Sequence, residues 1–373
     1  MKILHLSDLH IGKRLGEISL LEDQIYILGQ ITDHIGRNGI DAVIIAGDVY
    51  DRSIPSGEAM NVFSDFIEKL SELEVPVLLI SGNHDSAERI SYFSDIMKKH
   101  RIYLVTDTAA STEPVVLRDE YGEVNFYLIP FMRPSDVNNA FETSCASYTE
   151  AMAELISRMN IDTSKRNVAV SHQYAAGSSV CDSEMLIGGI ESIDAAVYKD
   201  FDYTALGHLH TPQNVGGSDR IRYCGTPLKY SLSEVSVPKS MTIVTLGEKG
   251  SVSVDTVPFK PLRDMKKLKG SFEELMKGEP SDEYIYVELT DEQDIPYAGT
   301  DLRTIYKNFV SVTYSRFGDN NYFAGSSGFS SPEEKSPQEL FSEFFMQQHG
   351  GKTELNDIQL EILREAIESA WGC

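Results

Sequence analysis

Cysteine, tryptophan and basic side chains are all scarce in this chain of 373 residues, and each scarcity excludes something. The four cysteines, Cys145, Cys181, Cys224 and Cys373, stand far apart with no CxxC pair. That excludes a disulfide framework and a thiolate metal site, and predicts a reducing, cytoplasmic setting. No stretch approaches the roughly 20 apolar residues of a membrane-spanning helix. Met1 to Leu9 lacks the basic flank and long apolar run of a secretion signal, so no leader and no membrane partner are expected. Only 33 Lys and Arg face 57 Asp and Glu, a formal charge of −24. Such a surface repels nucleic acid unless the acids are concentrated at one place or neutralised by metal. What is present is an ordinary globular balance, 41% hydrophobic and 24% charged. Disorder and fibrous architectures are thereby excluded, and the length predicts two domains or one large domain with appendages.

Residues 1 to about 260 alternate short apolar runs with amphipathic stretches, the pattern of a layered α/β domain. Strands are expected at Ile3–Leu6, Ala42–Ala46, Val75–Ile80, Phe126–Pro130, Val168–Ser171 and Thr204–Leu206. Helices are expected at Leu20–Gly36, Ser56–Leu73, Ala87–Lys98 and Ser147–Met159, where apolar residues recur at three- and four-residue spacing. From Gly216 to Phe259 the texture turns β-rich, which predicts a second sheet completing the core. Phe259 to Gly270 inverts the chain's sign, with Lys260, Arg263, Lys266, Lys267 and Lys269 against Asp264 alone. It reads as a linker or phosphate-contacting strip, or as a solvated basic turn. Residues 271–316 read as a small α+β unit and 317–337 as a flexible Gly/Ser/Asn linker. Residues 338–371 read as two helices, one carrying Leu340, Phe341, Phe344 and Phe345 on one side, the other a stripe of Leu355, Ile358, Ile362, Ala366 and Ala370.

Five of the nine histidines sit in short polar motifs directly after strands. In order the motifs are Asp8-Leu9-His10, Gly47-Asp48-Val49-Tyr50-Asp51, Gly82-Asn83-His84-Asp85, Ser171-His172-Gln173 and Gly207-His208-Leu209-His210. Carboxylates, an amide carbonyl and imidazoles make an oxygen-and-nitrogen donor set that suits manganese, iron, zinc or magnesium. Glycine ahead of three motifs is expected to let the backbone turn sharply. Singly, a DxH or HxH reads more readily as a capped turn than as a ligand pair. Five such motifs, one per strand crossover, are not what solvated loops produce. The remaining His5, His34, His100 and His349 read as packing, capping or surface residues.

The order DxH, GDxxD, GNHD, H, GHxH resembles the calcineurin-like metallophosphoesterase superfamily. Ile11-Gly12-Lys13, Ser19 to Gln24, Tyr203 to His210 and Gly225 to Ser231 narrow the likeness to the nuclease branch that works with an ATPase subunit in bacterial DNA repair and recombination, related to the eukaryotic double-strand-break repair nuclease. The resemblance implies a two-sheet α/β/β/α sandwich as catalytic domain over 1–260, a capping domain over 271–316 that shapes a DNA groove, and a C-terminal helix pair. It implies two divalent cations, Mn²⁺ in particular: one held by Asp8, His10, Asp48 and His210, the other by Asp48, Asn83, His172 and His208. His84 is then a general acid or charge stabiliser beside the leaving oxygen, with Asp51 orienting its ring. Asp85 is expected to cap the following helix.

The activity so implied is metal-dependent hydrolysis of DNA phosphodiesters, exonucleolytic on duplex ends and endonucleolytic at hairpins or blocked ends. The implied partners are duplex DNA, a second copy of the chain, and an ATPase whose coiled-coil root receives 338–371. Two other readings remain: a phosphodiesterase or phosphatase acting on a small phosphoester, and a scaffold without catalysis.

Overall fold

The computed structural model describes residues 1–179 and 192–315, with isolated positions between 341 and 363. Two compact units divide the chain, Met1–Met265 and Lys266–Cys373.

The first unit contains two six-stranded sheets. One has the order Val252–Pro258, Ser240–Leu246, Lys2–Leu6, Ala42–Ala46, Val77–Ile80, Ile102–Val105, and its last four strands run parallel. The other has the order Gln213–Val215, Ser218–Tyr223, Tyr203–Gly207, Arg166–His172, Gly122–Ile129, Val115–Asp119, with four parallel strands between antiparallel edges. Ala42–Ala46, Val77–Ile80, Arg166–His172 and Tyr203–Gly207 are buried along their whole length, as parallel strands covered on both faces must be. Successive side chains point to opposite faces. Ile44, Leu78 and Ile80 therefore share one core with Phe126, Leu128, Val168 and Val170. Tyr127, Ile129, Ala169 and Leu206 point the other way, onto Met152 and Leu155 of the helix Tyr148–Arg158.

Helices Leu21–Asn38 and Gly57–Glu72 are the crossovers between adjacent parallel strands of the first sheet. Right-handed crossovers taken in one direction put both helices on one face. Each buries a stripe, Ile27, Ile31 and Ile35 in the first and Phe63, Phe66 and Leu70 in the second. The first ends where Gly39 adopts a left-handed φ of 59°. The second starts where the Ser56 hydroxyl accepts from Ala59 N at 3.2 Å. The expected two-sheet sandwich with helices on its outer faces is the architecture found.

Four expectations change. The β-rich stretch after Gly216 does not build a second sheet of its own: Ser218–Tyr223 joins the sheet of 203–207, whereas Ser240–Leu246 and Val252–Pro258 extend the first sheet beside Lys2–Leu6. A hairpin's local texture does not encode which edge it joins. The helix expected over 87–98 is two short pieces, Ala87–Ile90 and Ser94–Lys99. There Ser91 Oγ donates back to the Ala87 carbonyl at 2.7 Å, and the second piece buries nothing that would hold a continuous helix. The strands Ile102–Val105 and Val115–Asp119 and the helix Pro134–Phe141 add to the expected elements.

The basic run is only in part a connection: residues 259–264 carry no helix or strand and lead to the boundary between the two units, whereas the rest is a strand. Met265–Gly270 is an edge strand of the small unit's sheet, ordered Met265–Gly270, Ser281–Leu289, Tyr306–Tyr314. Lys267 and Lys269 pair with Glu288 at 2.6 and 2.5 Å, and Lys266 with Glu283 at 3.4 Å, so carboxylates already answer these charges. Ile285, Val287, Leu289, Leu302 and Phe309 form the small unit's core. Between residues 266 and 315 its helices are Phe272–Met276, opened by a Ser271–Glu274 capping box, and Ala298–Leu302, where the sequence predicts a helix over Leu302–Tyr306. The linker expected over 317–337 and most of the helix pair over 338–371 lie outside the described residues. No described helix is long and apolar enough to cross a membrane.

Candidate metal centre

Each sequence motif lies at the carboxyl end of a strand, where open parallel sheets gather their ligands. Asp8 and His10 follow Lys2–Leu6, Asp48 and Asp51 follow Ala42–Ala46, and Asn83 and His84 follow Val77–Ile80. His172 ends one strand of the second sheet, and His208 and His210 follow the next. Backbone bonds fasten these loops together: Asp8 N donates to Gly47 O and His10 N to Asp48 O, both at 3.0 Å. Across the two sheets His208 N donates to the Asp8 carboxylate at 3.1 Å. Asp8, His10, Asp48 and His208 have φ of 51°, 43°, 50° and 100°, four of the nine positive-φ non-glycine residues described. Such strain persists only where the surroundings impose it, and it concentrates at functional sites.

The glycines act differently from expectation. Gly47 does need its φ of +86°. Gly82 and Gly207 have ordinary φ and are required for space: a Cβ on Gly82 would lie 2.1 Å from Asp48 Oδ1, and one on Gly207 1.9 Å from Ala46 O.

All seven expected ligands converge. His10 Nε2 lies 3.1 Å from His210 Nε2 and 3.7 Å from Asp48 Oδ2, and Asp8 groups with both histidines. His172 Nε2 lies 3.3 Å from Asp48 Oδ2 and 3.0 Å from Asn83 Oδ1, which is also 3.0 Å from His208 Nδ1. Asp48 stands between the two clusters. Asp8, His10, Asp48, His172 and His210 are buried, whereas Asn83 is exposed and His84 and His208 are partly so. Phe131 stacks on His208 with ring centroids 6.4 Å apart.

The donor chemistry fits divalent cations. His172 Nδ1 donates to Ala46 O at 2.8 Å, so its Nε2 is left as a lone pair facing the carbonyl-type Oδ1 of Asn83. Two acceptors so close need a proton or a cation between them. His10 and His210 pose the same problem, and about 3 Å is the separation of two imidazoles sharing one ion at about 2.1 Å each. Burial pushes His10 well down and His208 down to about 3, so both are neutral and able to ligate. Burial and the adjacent Asp48 carboxylate push Asp8 up. Despite burial, Asp48 is held below the ordinary range by His172 and His10, and it lifts His172 to about 9.

Three residues behave otherwise than the sequence implied. His84 Nδ1 is 2.9 Å from the main-chain carbonyl of Asp51, not from its carboxylate, which pairs instead with Lys13 Nζ at 2.8 Å. Asp85 caps no helix. Its carboxylate accepts from Val49 N, Tyr50 N and Gly82 N at 3.1, 3.0 and 2.9 Å, tying the GDxxD loop to the GNHD loop. His84 N donates to Asp48 Oδ1 at 2.8 Å across the same seam. Among the lone histidines His5 is a packing residue, its Nδ1 2.9 Å from Tyr203 OH between the sheets.

Sequence reasoning missed the supports. Gln24 Nε2 donates to His10 O at 2.7 Å while its Oε1 accepts from Gly12 N at 2.9 Å, and Tyr230 OH donates to Leu9 O at 2.6 Å. Glu234, fully buried, lies 3.6 Å from His210 Nδ1 and 2.5 Å from Lys239 Nζ. The signal was there in the polar segments 19–24 and 225–231, whose residues have no evident task until the fold brings them behind the histidines.

Fold and site together define a calcineurin-like phosphoesterase, and the family model of that description matches residues 1–212. A second model, described as a type 5 capsule protein repressor C-terminal domain, matches residues 261–349. The SbcD subunit of the nuclease SbcCD from Staphylococcus epidermidis is 35% identical over 334 residues, covering 87% of this chain and 88% of that one. The chain belongs to the SbcD family of calcineurin-like phosphoesterases. Looser likenesses are to a crystal structure from Thermus thermophilus, 12% identical with a TM-score of 0.40 over 68% of this chain and 98% of that one, and to a dimetal phosphatase from Danio rerio, 11% identical with a TM-score of 0.41 over 69% and 95%.

Proposed function

We propose that this chain is the nuclease subunit of an SbcCD-type complex and hydrolyses DNA phosphodiester bonds with two divalent cations, Mn²⁺ in particular. One observation carries the reading: seven candidate ligands from five strand ends converge on one shared carboxylate, in a chain 35% identical to an SbcCD nuclease subunit. Asp8, His10, Asp48 and His210 would hold one ion, and Asp48, Asn83, His172 and His208 the other. Bound there, two divalent cations would lower the pKa of a water and offset charge on a phosphate oxygen.

The chain's own residues supply the rest. Asp48 turns Oδ2 towards His10 and His172 and has its other oxygen fixed by His84 N, so its orientation does not depend on substrate. The Asp51 carbonyl accepts from His84 Nδ1, which keeps a proton on that nitrogen and leaves Nε2 to carry a second to the leaving oxygen. His84 lies at the partly exposed rim, where a phosphodiester can reach it. The acidic surface fits a subunit whose DNA affinity is shared with a partner. Residues 271–316 form the capping unit beside the DNA, and 338–371 dock on the coiled-coil root of an SbcC-type ATPase. In support, Phe341, Ile358 and Ile362 are exposed at 42%, 70% and 61%. A homodimer within a heterotetramer, in the cytoplasm at the nucleoid, completes the proposal.

A labelled linear duplex tests the activity. The protein should degrade it with Mn²⁺, poorly with Mg²⁺ and not after chelation. Equal cleavage after exhaustive chelation would remove the two-cation reading. Faster turnover of a small phosphodiester than of DNA would make it a small-molecule phosphodiesterase, and no hydrolysis with any cation would leave a scaffold.

A further inference from the structure

Behind His210, on the side away from the other ligands, lies a buried charged cluster that the reaction itself does not require. Glu234 is 0% exposed and Lys239 8%. Lys239 Nζ donates to Glu234 Oε2 at 2.5 Å, to Thr226 Oγ1 at 2.6 Å and to the main-chain carbonyl of His210 at 2.8 Å. Glu234 also accepts from Ser231 Oγ at 2.9 Å and from Tyr230 N and Thr226 Oγ1 at 3.2 Å each. Its Oε1 then stands 3.6 Å from His210 Nδ1.

A buried ion pair is weak evidence of stability, because desolvation offsets much of its attraction. This one also encloses a single ligand, with Lys239 on the His210 backbone and Glu234 beside its ring. We infer that Glu234 is a positioning residue for His210: its carboxylate holds the imidazole proton on Nδ1 and so presents the Nε2 lone pair to the cation shared with His10. Lys239 and Thr226 hold that carboxylate in place. The 3.6 Å separation exceeds a hydrogen bond, so the hold is electrostatic, and burial strengthens it. The same segment supplies Tyr230, which braces the Asp8–His10 loop, so one stretch of chain supports both histidines of the cluster.

This inference rests on the metal-site reading, and a binding cycle separates the two. Mn²⁺ affinity and stoichiometry are measured by equilibrium dialysis on the full chain, on Glu234→Gln, on His210→Ala and on the double variant. Glu234→Gln should weaken the first site about tenfold to a hundredfold. The double variant should bind no more weakly than His210→Ala alone, because Glu234 acts only through that ring. Losses that add, or native affinity in Glu234→Gln, would overturn the role while leaving the metal site standing. A native chain that binds no Mn²⁺ would overturn both. If Glu234→Gln does not fold, histidine ¹⁵N shifts of the native chain loaded with diamagnetic Zn²⁺ decide: a proton on His210 Nδ1 supports the role, and one on Nε2 refutes it.

Discussion

The floor and the rim of the metal centre are built on different terms. On the floor Asp8, His10, Asp48, His172 and His210 are all at most 4% exposed, and several have their own support: Ala46 O behind His172, Glu234 beside His210, Gln24 and Tyr230 behind the His10 loop. At the rim Asn83 is exposed and His84 and His208 are partly so, and His84 rests on one main-chain carbonyl. Rigid, desolvated groups suit the holding of ions, because each ligand is oriented before the ion arrives. Accessible groups suit the meeting of a substrate. The contrast teaches that one loop can serve both tasks, since the GHxH loop contributes His210 to the floor and His208 to the rim.

The sharpest way to break this contrast is to remove the residue that joins its halves. Asp48→Ala takes away the carboxylate that both clusters share and the acceptor for His84 N. It should lose both cations in elemental analysis and leave DNA cleavage at background. Retention of one ion would show that the clusters are independent, and Asp48 would not bridge them.

Next in size is the rim by itself. His84→Ala removes no expected ligand, so both cations should remain while cleavage falls on the order of 10²- to 10⁴-fold. Metal content measured beside rate separates floor from rim. Metal-free His84→Ala protein would move His84 to the floor, an outcome with a geometric basis because His84 groups with His10 and Asp48.

The floor-and-rim division also marks what the sequence could tell. Donors were legible because their chemistry is rare: an imidazole or carboxylate directly after an apolar run stands out whatever the fold. Asp85 was not, since an acid before a helix looks like a cap until Val49 N, Tyr50 N and Gly82 N are found around it. Gly82 and Gly207 were seen as glycines but for the wrong reason, because close approach by another strand's loop is a property of tertiary packing alone. The layered α/β class followed from strand-and-helix alternation, and the two-sheet sandwich from the resemblance. The destination of 240–258 did not, as an antiparallel hairpin carries no mark of the sheet it extends. Lys267 and Lys269 looked like phosphate contacts because Glu288, some twenty residues on, could not be known to face both.

The smallest expected effect is at Asp51, where the motif and the contact diverge. Motif logic makes its carboxylate the partner of His84, and its loss would then resemble the loss of His84 itself. The contact runs through the backbone: His84 Nδ1 meets Asp51 O at 2.9 Å, and substitution of the side chain leaves that carbonyl in place. The carboxylate's own pair is Lys13 at 2.8 Å, with Arg52 at 3.8 Å and His10 Nδ1 at 3.8 Å around it. Lys13 is about a fifth exposed, so the pair belongs with near-surface ion pairs worth up to about 1 kcal/mol. That is a factor of roughly five in rate if all of it were felt in the transition state. Asp51→Asn should therefore keep both cations and lose less than about tenfold in cleavage, and added salt should narrow the difference by screening Lys13. A loss as deep as that of His84→Ala, at unchanged metal content, would mean that the carboxylate turns to His84 when substrate is bound. The main-chain contact would then describe only the resting site.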